Sequence, residues 1–268
     1  MLLVQLTDLH VRPPGRLANG VVDTNRLAAE AIDSVLAMRP TPDAVLVSGD
    51  LTDRGTEEEY RVVRDLLDRL PMSVHVVPGN HDNRAPMRAA FADRPEFATD
   101  PFFLHYAVDL GDLRLIALDT VVAGQSHGEL CPTRLAWLER ALAEAPERPT
   151  LVMMHHPPFL CGIGHMDRIN CRDGDALGAI VERHPQIERI VCGHHHRPIQ
   201  VRWRGTVVNV APSVAHQVEL GLEPQSPAAF RLEPPGFLVH VWLPGTGLVT
   251  HQSAVGRWPG PYPFTSAG

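Results

Sequence analysis

Five short apolar runs in this chain each end in residues that offer oxygen or imidazole nitrogen. Leu3–Leu6 leads into Thr7-Asp8-Leu9-His10, and Val45–Val47 into Ser48-Gly49-Asp50. Val76-Val77 leads into Pro78-Gly79-Asn80-His81-Asp82, Leu151–Met154 into His155-His156-Pro157-Pro158, and Ile190–Cys192 into Gly193-His194-His195-His196. Four of the five carry a nearby Gly or Pro that can turn the chain sharply. In open α/β sheets ligands sit beyond the carboxyl ends of the strands, so five converging ends make one site. The donors are two Asp, one Asn and four or five His, with no thiolate, a set suited to Mn, Fe, Co or Zn. One open catalytic metal takes about three protein ligands plus water, which seven donors exceed. Two divalent ions sharing a bridging carboxylate fit the count better. Ions about 3.5–4 Å apart clamp the attacking and leaving oxygens of an in-line phosphoryl displacement.

The bulk properties narrow the field. At 268 residues the chain can bury a large core, and 44% hydrophobic with 21% charged residues is ordinary for a globular protein. All 24 basic residues are Arg. Without Lys, a Walker-type phosphate loop, a Schiff-base nucleophile and a Ser/Lys dyad are unavailable. A net charge of −7 argues against a nucleic-acid groove, whose usual footprint is a basic face. Met1–Leu6 is too short for a signal peptide's apolar region, so no targeting segment is expected. No apolar run approaches the roughly 20 residues that span a membrane. The four cysteines (131, 161, 171, 192) form no zinc-type pair; a reducing cytoplasm is the expectation, with a Cys161–Cys171 bridge as the lesser alternative. A homo-oligomer is expected.

The donors need a scaffold, and the apolar pattern supplies it. Strands are expected at Leu2–Leu6, Ala44–Val47 and Val74–Val77, with a helix over Asp23–Met38 between the first two. Thr56-Glu57-Glu58-Glu59 has capping-box spacing ahead of Tyr60, Val63, Leu66, Leu67 and Leu70, which share a helical face. This β-α-β-α-β order predicts a largely parallel buried sheet. Phe102–Leu110 and Leu113–Leu118 read as a hairpin turning at Gly111-Asp112. A helix over Thr133–Ala145 is followed by strand Leu151–Met154, and one over Asp175–Arg183 by strand Ile187–Cys192. Antiparallel strands follow near Gln200–Arg204, Thr206–Val210, Phe237–Leu243 and Leu248–His251. Loops at about 160–174 and 216–235 are long enough to act as lids. Residues 1–255 are expected to form the catalytic domain, and 256–268 a Pro/Gly-rich tail.

Taken together, D-x-H (Asp8, His10), G-D (Gly49, Asp50), G-N-H-D (Gly79 to Asp82), H-H-P-P (His155 to Pro158) and G-H-x-H (Gly193 to His196) resemble the calcineurin-like metallophosphoesterases. The chain looks closest to the bacterial class III cyclic-nucleotide phosphodiesterases and their glycerophosphodiesterase branch, from Met1 to about Ala254. Any one motif is weak; five in order are specific. The resemblance implies a four-layer α/β/β/α sandwich of two mixed sheets. It implies that Asp8, His10, Asp50 and His196 hold one ion, and that Asp50, Asn80, His155 and His194 hold the other. It further implies that His81 faces the substrate phosphate, and that His216, in Ala215-His216-Gln217, faces the site. The activity implied is hydrolysis of small phosphodiesters by two-metal activation of water.

Other readings compete at particular residues. His156 is expected behind the ligands or in the core, and His195 in solvent or behind the ligands. Asp82 is expected either to orient His81 or to face solvent. Gly49 to Gly55 resembles the G-D-x-x-D-R-G run of serine/threonine protein phosphatases, which would make Arg54 a phosphate contact, but G-H-x-H fits that branch poorly. Purple acid phosphatases need a Tyr where this chain has Asp53. A phosphomonoesterase or nuclease could use the same metals. A non-catalytic scaffold would typically have lost ligands that this chain keeps.

Overall fold

The computed structural model describes residues 1–264. Strand β1 (Leu2–Leu6) is buried along all but its first residue. Helix α1 (Thr24–Ala37) starts behind Asp23, whose side chain accepts the Arg26 N–H. Strand β2 (Ala44–Val47) is followed by α2 (Glu57–Leu67), which begins with the expected capping box: Thr56 and Glu59 satisfy each other's backbone N–H. Strand β3 (Ser73–Val76) completes the first half. Helix α3 (Arg84–Ala90) was not expected. Seven residues interrupted by Pro86 are too few to display a helical period, and the start rests on one local contact, Asn83 accepting the Ala85 N–H.

The hairpin β4 (Tyr106–Leu110) and β5 (Leu113–Leu118) turns at Gly111-Asp112 as expected. Its first strand starts four residues later than the apolar run suggests. Asp100 takes the N–H groups of Phe102 and Phe103, and Asp119 takes that of Leu104, so these donors are spent before a ladder can form. Then come α4 (Pro132–Ala143), β6 (Thr150–Met154), α5 (Gly174–Arg183), β7 (Ile187–Cys192), β8 (Ile199–Trp203), β9 (Thr206–Val210), β10 (Gly236–Leu243) and β11 (Gly247–Ala254).

Two large mixed sheets result. The first runs β11-β10-β1-β2-β3, with β1, β2 and β3 parallel. The second runs β8-β9-β7-β6-β5-β4, parallel across β9, β7, β6 and β5 with antiparallel strands at both edges. Alternation assigns the faces of the second sheet. Leu115, Ala117, Leu151 and Met153 join the central core with residues of α1, α2 and the first sheet. Ile116, Leu118, Val152 and Met154 turn outward beneath α4 and α5. Burying each Leu, Ile, Val or Met there is worth roughly 1.5–3 kcal/mol, and the layer order is the expected α/β/β/α.

The long loops are partly structured. Cys171–Arg172 pairs with Gly128–Glu129, and Gln217–Val218 with Phe230–Arg231. Ile163, Met166 and Val218 form a small apolar cluster that joins the two loops. All four cysteines are unbridged. Residues 256–264 of the tail contain no helix or strand, and 265–268 lie outside the described residues. No described helix is long and apolar enough to cross a membrane.

Candidate metal centre

The loops leaving β1 and β2 run side by side. The Asp8 N–H donates to the Gly49 carbonyl (3.1 Å) and the His10 N–H to the Asp50 carbonyl (3.0 Å). The turn after β7 closes on the same place, where the His194 N–H donates to both Asp8 carboxylate oxygens at 3.2 and 3.1 Å. That approach needs glycine: a methyl on Gly193 would collide with Thr7 Oγ1 and Asp8, and one on Gly79 with the Asp50 carboxylate. The backbone at the donors is itself unusual. Asp8, His10, Asp50, His194 and His196 have φ of +53°, +47°, +49°, +71° and +51°. Asp and His enter this left-handed region more readily than most side chains, yet such residues cost of order 1–3 kcal/mol each and cluster at functional sites.

Backbone carbonyls orient the rings. His155 Nδ1–H donates to Ser48 O (2.8 Å), His196 Nδ1–H to His216 O (2.8 Å), and His194 Nε2–H to Ile169 O (3.0 Å). A carbonyl can only accept, so each bond places a proton on that nitrogen and leaves the other to take a proton or a metal ion. His155 Nε2 lies 3.2 Å from Asn80 Oδ1 and 3.4 Å from Asp50 Oδ2. His196 Nε2 lies 3.2 Å from Asp8 Oδ1 and 3.1 Å from His10 Nε2, which is 3.6 Å from Asp50 Oδ2.

One ligand atom from each of Asp8, His10, Asp50 and His196 falls within 4.8 Å of the others, and all four residues are buried. His155, His156 and His194 form a second such group, and His10, Asp53 and His81 a third. Burial pushes the Asp50 pKa upward, but neighbouring His155 and then His81 outweigh it and hold the carboxyl well below its ordinary value. Burial opposes a charged His155, but Asp50 overcomes it and lifts the imidazole to about 9. Two buried carboxylates facing oriented ring nitrogens make a site that demands positive charge, and the chemistry of this donor set fits divalent metal ions.

His81 is exposed at the mouth. Its Nδ1–H donates to Asp53 O (2.8 Å), which leaves Nε2 free, and its ring centre is 4.7 Å from that of His10. His216 is buried, with ring centres 4.8 Å from His196 and 5.4 Å from His10. Burial first, then the neighbouring His196 and His10, push its pKa down to about 3.

One of the remaining side chains, Asp82, departs from both places expected for it. Asp82 is buried and neither orients the His81 ring nor faces solvent. It accepts the N–H groups of Gly79, Leu51 and Thr52 (2.9, 3.1 and 3.2 Å) and the hydroxyls of Thr52 and Tyr60 (3.0 and 2.9 Å), tying the β2 and β3 turns together. Of the two places expected for His195 it takes the buried one, with Nε2 2.7 Å from Asn170 Oδ1. His156 is buried, with ring centres 4.8 Å from His155 and 4.6 Å from His194 and its Nδ1 2.7 Å from Thr120 Oγ1. Arg54 is exposed and pairs with Asp53 at 3.8 Å. Asp53 itself was missed: its carboxylate lies 3.6 Å from His10 Nδ1 and 3.1 Å from Arg12, while its carbonyl holds His81. Its only sequence signal was the D-x-x-D spacing from Asp50.

Two mixed sheets gather Asp, Asn and His at one rim, a donor set able to bind metal ions. The family model described as calcineurin-like phosphoesterase matches residues 1–198, and the chain belongs to that family of phosphoric-ester hydrolases. It is 36% identical over 265 residues to a probable glycerophosphodiester phosphodiesterase, GpdQ, of Arcobacter nitrofigilis, covering 98% of this chain and 97% of that one. It is 34% identical over 255 residues to a probable cyclic nucleotide phosphodiesterase of Rhodopseudomonas palustris, covering 94% and 92%. A dimetal phosphatase structure from Danio rerio superposes with a TM-score of 0.65 at 15% identity, covering 96% of this chain and 98% of that one, a likeness of fold.

Proposed function

We propose that the chain holds two divalent metal ions and hydrolyses small phosphodiesters. Asp8, His10, Asp50 and His196 would hold one ion, and Asp50, Asn80, His155 and His194 the other. The observation that carries this reading is the position of Asp50 Oδ2, 3.6 Å from His10 Nε2 and 3.4 Å from His155 Nε2, where one carboxylate serves both groups. Mn, Fe, Co and Zn all suit the donors. Bound there, such ions supply Lewis-acid polarisation of phosphoryl oxygens and a lowered water pKa.

The chain's own residues do the rest. His81 Nε2, free of a protein partner on an exposed residue, donates a hydrogen bond to a phosphate oxygen or a proton to the departing alkoxide. Burial lowers the His81 pKa, but Asp50 and the Asp53 carbonyl outweigh it and raise it above its ordinary value, favouring the proton-carrying form. His216 stays neutral and forms the wall beside His10. The loops around Ile163 and Val218 could contact a second ester group, which would favour diesters over monoesters.

Relatives named for glycerophosphodiesters and for cyclic nucleotides support small diesters as the substrate class. Residues 1–255 would act as the catalytic domain. Four free thiols suit a reducing cytoplasm, and the exposed Leu160, Leu220, Leu222 and Leu232 support a homo-oligomer. The metal-reconstituted protein should give a higher kcat/KM on bis-p-nitrophenyl phosphate than on p-nitrophenyl phosphate. A clear advantage for the monoester would make it a phosphomonoesterase on the same scaffold.

A further inference from the structure

Asp53 meets His10 and His81 through different groups. Its carbonyl accepts the His81 Nδ1–H at 2.8 Å, and its carboxylate Oδ1 lies 3.6 Å from His10 Nδ1. The backbone there is fixed from both sides. The Asp53 N–H donates to the carbonyl of Val11, the residue after His10 (3.1 Å), and the preceding Thr52 gives its N–H and hydroxyl to Asp82 (3.2 and 3.0 Å). The carboxylate is braced at its other oxygen: Oδ2 lies 3.1 Å from Arg12 Nη1, which also donates to Glu59 Oε1 (2.9 Å). Glu59 is tied in turn by the N–H groups of Arg54 and Thr56 at 3.0 and 3.1 Å.

The other three proposed histidine ligands each give a ring N–H to a backbone carbonyl, Ser48 for His155, His216 for His196 and Ile169 for His194. His10 differs. Its Nδ1 is buried with no hydrogen-bond partner among the described residues, and the group facing it is the Asp53 carboxylate. At 3.6 Å the contact is longer than a hydrogen bond, so it works through charge, which a buried site screens far less than water does. The carboxylate favours a proton on Nδ1. That leaves Nε2, 3.6 Å from Asp50 Oδ2 and 3.1 Å from His196 Nε2, as the nitrogen for a metal ion. A carbonyl offers its ring only a dipole, whereas Asp53 offers a full negative charge that also attracts a cation held at Nε2.

We propose that Asp53 is a positioning residue: its carboxylate sets His10 as an Nε2 ligand for one ion, while its carbonyl sets the His81 ring. The inference rests on the reading of His10 as a ligand of one of two ions. Side-chain variants keep the carbonyl, so they test the His10 link alone. The test is titration of the full chain with MnCl2, free Mn(II) being read by its electron paramagnetic resonance. Wild type should take two ions, and His10→Ala identifies the step that belongs to His10. Asp53→Asn should weaken that same step by tenfold or more, within the roughly 10–100-fold effect of groups that orient metal ligands, and leave the other step at its wild-type affinity. In the His10→Ala background Asp53→Asn should cost nothing further, because the ring it acts on is gone. Asp53→Ser takes its place if Asp53→Asn fails to fold. The proposal is overturned if the His10 step is unchanged, if both steps weaken alike, or if the loss is the same with and without the His10 ring. A wild type that takes one ion removes the two-ion reading alone. The proposal then stands if that ion weakens in both His10→Ala and Asp53→Asn, and falls if it does not.

Discussion

The backbone N–H of His81 donates to Oδ1 of Asp50 at 2.9 Å. One carboxylate therefore faces both proposed metal positions through Oδ2 and holds the Asn80-His81 turn through Oδ1. Asp50→Ala should lose both ions and disorder that turn, whereas His10→Ala should weaken mainly one. Elemental analysis after reconstitution at saturating Mn or Zn measures this. A single tight ion per wild-type chain would remove the two-metal reading.

His81 can be tested apart from the proposed ligands because its ring is anchored by the Asp53 carbonyl at 2.8 Å and not by any of them. His81→Ala should keep about two ions and lose roughly 10²-fold or more in kcat/KM, the range of positioned acid catalysis. The loss should be smaller for a p-nitrophenolate leaving group than for a glycerol or ribose alkoxide if His81 protonates the leaving oxygen. Equal losses would assign it to the non-bridging oxygens instead, and loss of metal would make it a structural support.

The left-handed backbone at His10 makes an unusual stability prediction. His10→Ala and His10→Gly both remove the imidazole and differ only in Cβ, which is strained at φ +47°. The Gly variant should be the more stable by about 1 kcal/mol, the reverse of the usual order in regular structure. Urea midpoints of the two metal-free variants give the answer; an Ala variant as stable as Gly would mean that the loop relaxes once the ring is gone.

His240 predicts a pH effect remote from the metals. Burial, aided by Arg189, pushes its pKa down to about 3, against an ordinary value near 6.5. The folded chain thus resists a proton that the unfolded chain accepts. Its contribution is fully present above about pH 6.5 and is lost as pH falls towards 3, by up to roughly 1.4 kcal/mol per unit. Other acid-sensitive groups act equally in wild type and His240→Gln. Wild-type Tm should therefore drop further than the variant's between pH 7 and pH 5, and parallel drops would show that His240 takes the proton while folded.

Much was legible locally because it depends on near neighbours. Apolar runs marked the strands, Thr56 and Glu59 marked a helix start, and Asp, Asn and His placed directly after strand ends marked the donors. What the sequence left open depends on partners far along the chain. The free nitrogen of His155 is decided by the Ser48 carbonyl, 107 residues away. Asp82 turns inward because Leu51, Thr52 and Tyr60 bring unsatisfied donors to it, and His240 meets Gln5 across 235 residues. Residue type and spacing determined which atoms could bind. Which nitrogen each ring presents was decided only by the packing of the two sheets, because a hydrogen-bond partner fixes where the ring carries a proton however distant it is in sequence.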